Sequence, residues 1–203
     1  MKFFSGIIFF IIALPLFGDG GLSAELEKAR ALAARSGIAA REQHDALVRL
    51  GRLEHLSGNF EAAADSWMKA AYTEQGKRDD NALLGAAACF LALGDWEKAE
   101  SNTKLVLITA KENSVMLIKA KYMAAQIEAF RTGETQILGA LLESGDYEMF
   151  RPGIYWTLFK LTGNDDYKRA LLSMYPETPE AQALQGKSGV FEAVSPQWLV
   201  LPR

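Results

Sequence analysis

Residues 81–106 read NALLGAAACFLALGDWEKAESNTKLV, and this stretch decides the fold. It predicts a helix, a corner at Gly94-Asp95-Trp96, and a second helix folded back on the first. Leu83, Ala87, Phe90 and Leu91 recur at helical spacing. Ala86, Ala87 and Ala88 are small enough to let another helix come close. Gly94 can take the left-handed backbone angles that end a helix, and Asp95 can cap the next one. Trp96 covers the corner, and Ala99 leaves room at the crossing. The same corner stands 36 residues earlier as Gly58-Asn59-Phe60-Glu61-Ala62-Ala63. A helical hairpin repeated at that period is a signature of stacked repeats that bind something.

Outward from this pair, every element reads as helical. A helix over about 25–40 follows a plausible N-cap at Ser23, with Leu26, Ala29, Leu32 and Ala33 on one side. It would cover the first repeat. Four hairpins are expected over 41–75, 80–112, 119–145 and 150–175. The third turns at Gly133-Glu134-Thr135 and the fourth at Gly163-Asn164. Pro176 and Pro179 interrupt the pattern, and Pro179–Leu184 can restart as a short helix. The remainder of 176–203 reads as an extended tail anchored by Trp198, Leu199 and Leu201.

Residues 1–24 stand apart. Lys2 precedes an apolar run from Ile7 to Phe17, then small residues follow, which is the layout of a cleaved export signal. Counted from Phe3, the run has 15 residues, short of the roughly 20 needed to span a bilayer. Cleavage is expected after Gly20 or Ala24, and an uncleaved anchor is the alternative. No cysteine lies near this boundary to carry a lipid. The formal net charge of −3 and scattered Lys and Arg do not suggest a nucleic-acid binder.

The hairpins resemble the tetratricopeptide repeat family. In the first repeat the family positions fall on Leu47, Leu50-Gly51, Glu54, Gly58-Asn59-Phe60, Ala63, Trp67 and Ala70. All match except Glu54, where an aromatic residue belongs. In the second they fall on Leu83, Ala86-Ala87, Phe90, Gly94-Asp95-Trp96, Ala99, Thr103 and Val106. The third keeps Tyr122, Gly133 and Leu138, and the fourth keeps Tyr167, Ala170 and Met174. The resemblance implies an all-α fold, a right-handed α-solenoid of helical hairpins. Corner glycines at 58, 94 and 133 give intervals of 36 and 39 rather than the family's 34, so the twist should depart from the family's. The junction Tyr175-Pro176-Glu177-Thr178-Pro179 is similar to those between repeats in bacterial envelope proteins of this class.

The resemblance also implies an inner face lined by the first helix of each hairpin. Carried over, its positions are Asp45, Val48, Arg52 and His55, then Asn81, Leu84, Ala88 and Leu91, then Ala120, Met123, Ile127 and Phe130. The partner-binding set expected from these is Val48, Arg52, His55, Leu84, Ala88, Leu91, Met123, Ile127 and Phe130. The first repeat offers charge and the next two an apolar strip, which either suits a hydrophobic or amphipathic segment or is covered at Leu84, Leu91, Ile127 and Phe130 by the chain's own fourth repeat or tail. The Lys-and-Asn pattern that clamps a C-terminal carboxylate in chaperone-binding members is missing, because Val48 and Leu84 occupy positions that need polar groups.

Signals of catalysis are weak. His44 and His55 are 11 residues apart, about 16 Å along a helix, too far to share a metal. They read as two exposed histidines. Cys89, the single cysteine, reads as a buried thiol with no histidine in its own repeat. Asp79-Asp80 and Asp165-Asp166 suit helix starts better than paired acid–base chemistry. No metal, cofactor, nucleic acid or small-molecule substrate is expected. The sequence therefore suggests an exported, non-catalytic protein-interaction scaffold of the periplasm or cell envelope, whose partner is a protein or peptide. Membrane contact is expected only through the N-terminal segment, if uncleaved. The alternatives are a structural subunit of a membrane-associated envelope assembly and an envelope hydrolase built on a helical scaffold. The hydrolase would need Glu54, His55 and Asp95 in one cleft.

Overall fold

The computed structural model describes residues 19–73 and 77–185. Among these residues every regular element is helical. The elements are α1 (Asp19–Ala33), α2 (Ala40–Leu56), α3 (Phe60–Ala71), α4 (Asp80–Ala92), α5 (Trp96–Thr109), α6 (Val115–Thr132), α7 (Gln136–Glu143), a 3-10 turn (Gly145–Phe150), α8 (Arg151–Thr162), α9 (Asp165–Met174) and α10 (Pro179–Leu184). The export signal up to residue 18 and the tail from 186, with its expected anchors Trp198, Leu199 and Leu201, lie outside the described residues.

Each helix from α1 to α9 packs on the next. The first helices of successive hairpins also touch in order, α2 on α4, α4 on α6 and α6 on α8. Small residues make this possible. Ala82, Ala86, Ala87 and Ala88 on α4 are wholly buried, as are Ala63, Ala64, Ala70 and Ala71 on α3, so backbones approach closely. One cluster of apolar side chains runs from Leu26 on α1 to Leu158 on α8. A smaller cluster of Trp156, Leu171 and Ala181 joins α8, α9 and α10.

The corners come in two kinds. At Gly58 and Gly94 the backbone is left-handed, with φ of 76° and 74°. At the first, Gly58 N–H donates to His55 O and Asn59 N–H to Glu54 O. At the second, Gly94 N–H donates to Leu91 O and Asp95 N–H to Phe90 O. These paired bonds satisfy two carbonyls that the helix end would otherwise leave open. Asn59 and Asp95 then accept from Ala62 N–H and Lys98 N–H, capping α3 and α5. Gly133 and Gly163 keep the left-handed turn but make a single backbone bond each, to Ala129 O and Phe159 O. There the hydroxyls of Thr132 and Thr162 accept the next N–H, from Glu134 and Asn164. Thr-Gly at 132–133 and 162–163 therefore marks the two later corners as a matched pair.

At Gly94 a Cβ would meet nothing within 4 Å, so Gly94→Ala should cost only the backbone strain, roughly 1–2 kcal/mol. Urea unfolding of the variant measures this, and an unchanged midpoint would contradict the left-handed corner.

One local expectation changes. α1 begins at Asp19 rather than near residue 25, so Ser23 is an exposed residue inside the helix and caps nothing. Leu22 extends the Leu26, Ala29, Ala33 stripe against the core, which favours the longer helix. The link from the third hairpin to the fourth is a 3-10 turn whose Tyr147 and Phe150 are buried. Phe150 stacks 5.0 Å from the Tyr122 ring, so this turn closes the core over α6.

Candidate binding face

The expected partner-binding residues separate into two groups. His55, Leu84, Ala88 and Met123 have no exposed surface, and Leu91 and Ile127 retain 3% each. This corrects the expectation of an open apolar strip: the five apolar members belong to the main core cluster. The alanine-rich surface of α4 draws its neighbours inward and leaves these side chains in the interior. Val48, Arg52 and Phe130 are half-buried and keep access to solvent.

Around Arg52 the structure gathers polar groups from three helices. Asp79 caps α4, its Oδ1 accepting from Asn81 N–H at 2.8 Å and Ala82 N–H at 3.3 Å. Its Oδ2 lies 2.8 Å from His44 Nε2 on α2. Lys119 Nζ, on α6, donates to Asn81 Oδ1 at 3.0 Å. Arg52 Nε is buried without a hydrogen-bond partner. Burial holds the Arg52 guanidinium below its usual pKa, with the Asp79 carboxylate opposing. Burial also depresses Lys119, the Arg52 charge adds to that, and Asp79 again opposes. At His44 burial disfavours the charge, but hydrogen bonds to Asp45 and Asp79 outweigh it and hold the pKa above the ordinary value. His44 is thus a half-buried partner of two carboxylates, not the exposed residue expected. Asn81 and Lys119 lie 38 positions apart in the chain, and no local spacing announces their contact.

The interior holds a second polar group. His55 Nδ1 lies 3.4 Å from Cys89 Sγ, bringing a histidine of one repeat to the cysteine of the next. Cys89 has no histidine within its own repeat, and the contact runs between hairpins. Both groups are buried, and burial pushes the His55 pKa down to about 4 and the Cys89 thiol up. The pair is therefore a neutral imidazole and a thiol. A thiol needs its thiolate to attack, so this environment makes Cys89 unreactive.

Glu54, which departs from the family pattern, is also buried. It accepts from Ser66 Oγ at 2.7 Å and stands 3.6 Å from Arg30 Nε on α1. A carboxylate ties α1, α2 and α3 together where the family places an aromatic ring. Asp95, meanwhile, pairs with Lys98 at 2.7 Å, so Glu54, His55 and Asp95 are engaged separately. Among the described residues, no three or more His, Cys, Asp or Glu side chains are placed to hold a metal ion. No helix there is long and apolar enough to cross a membrane.

The back half of the chain, residues 112–203, is similar to a protein family described as the TP_0752_M middle domain. The match starts in the loop before α6, so it takes in the two threonine corners and leaves out the two earlier ones. No curated protein and no solved structure matches the chain significantly.

Proposed function

We propose that the chain is an α-solenoid of tetratricopeptide-like hairpins, exported to the bacterial cell envelope, that holds a partner protein without chemistry. The observation that supports this most is the register of first helices: α2, α4 and α6 touch in order and bring His44, Arg52, Asn81 and Lys119 to one face. Stacked hairpins present such a face for an extended or helical segment. The docking residues are Val48, Arg52 and Phe130 with Lys119 and Asn81. The buried Leu84, Ala88, Leu91, Met123 and Ile127 support the face from beneath.

A photoreactive phenylalanine placed at Val48, at Phe130 and at Ile108 tests this in intact cells. Ile108 is 70% exposed on α5. The two face positions should yield the same discrete adduct, and Ile108 should yield none. No discrete adduct at Val48 or Phe130 would sink the docking reading. Adducts at all three would favour a subunit enclosed by a larger assembly. Exposed Tyr72, Ile108 and Val115 on the first, second and third hairpins are the observation that keeps that alternative in play.

A further inference from the structure

We infer that Arg52 and Lys119 form an anion site on this face, and that its ligand is the side-chain carboxylate of an acidic residue in the docked segment. This rests on the docking reading above and supplies the chemistry of the partner.

The charge balance carries the argument. Arg52 and Lys119 are two half-buried cations close enough to repel each other. Arg52 makes no hydrogen bond or ion pair among the described residues, and its Nε is sealed from water. Lys119 has only the neutral amide oxygen of Asn81. Asp79 is the acid that both cations feel. Its oxygens are already taken by two backbone N–H groups and by His44. A half-buried cation without a partner is unfavourable, and an anion that accepts from it removes the penalty. Asn81 holds the ammonium in place as it waits, and the guanidinium offers its planar fork to a carboxylate.

The chemistry of the ligand follows from the same balance. Asp79 is the one carboxylate that bears on both Arg52 and Lys119, so of these three groups one positive charge is left over. That matches a carboxylate better than a doubly charged phosphate, which Asp79 would repel. The flanking positions are apolar. Val48 stands one helical turn before Arg52, and Phe130 lies 11 residues beyond Lys119, about 16 Å along α6. A segment that crosses the face therefore presents its acid in mid-sequence between apolar residues. The site differs from the C-terminal carboxylate clamp in its residues, since Val48 and buried Leu84 hold the positions that clamp would need.

The probe is a C-terminally amidated peptide, Ala-Leu-Ala-Glu-Ala-Leu-Ala, carrying an uncharged nitrobenzoxadiazole fluorophore at its N-terminus. Its Glu-to-Gln counterpart and a Gln peptide with a free C-terminal carboxylate are the controls. The full chain should bind the Glu peptide at least about tenfold more tightly than either control. Arg52→Gln and Lys119→Gln should each abolish that preference, keep the wild-type circular dichroism spectrum, and give a Tm no lower than the wild type's, since each removes a half-buried cation repelled by the other. Raised salt should weaken the Glu peptide and leave the amidated Gln peptide unchanged. Equal binding of the two amidated peptides overturns the proposal, as does a preference that survives both substitutions, or binding of none of the three. Preference for the free C-terminus overturns the side-chain assignment. The docking reading fails separately, by loss of the adducts at Val48 and Phe130. Adducts without a Glu preference leave docking standing and remove the anion site.

Discussion

Trp67→Ala is expected to cost about 3–5 kcal/mol, the largest loss from any single substitution considered. The indole is fully buried on α3, between the backbones of two other helices. A Cβ built on Gly51 of α2 would stand 3.0 Å from the ring, and one on Gly85 of α4 would stand 2.7 Å from it. The two glycines thus form the walls of a slot, and the ring joins the first hairpin to the second. Its removal leaves a cavity that three packed helices cannot close without shifting together. The reverse insult is Gly85→Ala, which pushes a methyl into the ring and should cost about 1–3 kcal/mol. A double-mutant cycle distinguishes this slot from general core loss. With Trp67→Leu already present, the Gly85 methyl has space, so its cost should shrink or change sign. Urea unfolding of the four proteins measures it, and strict additivity would refute the slot.

Acid should weaken the fold through His55. Its pKa lies near 4 in the folded chain, against about 6.5 for a free histidine, so the unfolded chain binds its proton first. Its contribution is intact above pH 6.5, declines as pH falls, and is fully lost below pH 4. The whole shift corresponds to about 3 kcal/mol. The physical cause is burial: Nε2 has no partner, and Nδ1 faces the Cys89 sulfur. The Phe60 ring packs edge-on at 5.1 Å and gives a cation no compensating charge. His44 acts in the opposite sense. Its raised pKa means that its protonated form, paired with Asp79 and Asp45, stabilises the chain below pH 6.5, and that this is lost as pH rises through the folded value. A single acid titration would mix the two, so variants must separate them. The difference in unfolding free energy between wild type and His55→Leu should move against the wild type between pH 7 and pH 4.5. Between wild type and His44→Gln it should move in favour of the wild type. A His55→Leu difference that is flat with pH would show that the imidazole is not held neutral.

The two halves of the chain were not equally open to reading. In the first two hairpins the glycine, its capping Asn or Asp, and the alanines of the crossing all sit at repeat spacing, and the helices form there. The later corners offered less: Gly133 has no capping Asn or Asp, and only Gly163 is followed by one, Asn164, which accepts from Asp166 N–H to cap α9. Their threonine bonds follow a different local rule, which becomes evident when Thr132 and Thr162 are seen accepting the same kind of N–H. The candidate face was the least visible. Arg52 stood among the expected inner-face residues, but Lys119 did not.

What the sequence determined by itself is local. A positive-φ glycine, a cap within three residues and a 3.6-residue apolar stripe depend on near neighbours, so helices and corners could be placed from the chain alone. The tertiary structure decided everything that joins one hairpin to another. It set Trp67 between Gly51 and Gly85, His55 against Cys89 34 residues away, and Lys119 on Asn81. It also turned Leu84, Met123 and Ile127 inward. Helical periodicity says which side chains share a face, but the closeness of the next helix decides whether that face meets water. Here small residues on α3 and α4 closed the gap, buried the apolar strip, and left Arg52 near the end of α2 and Lys119 near the start of α6 as the accessible charged chemistry.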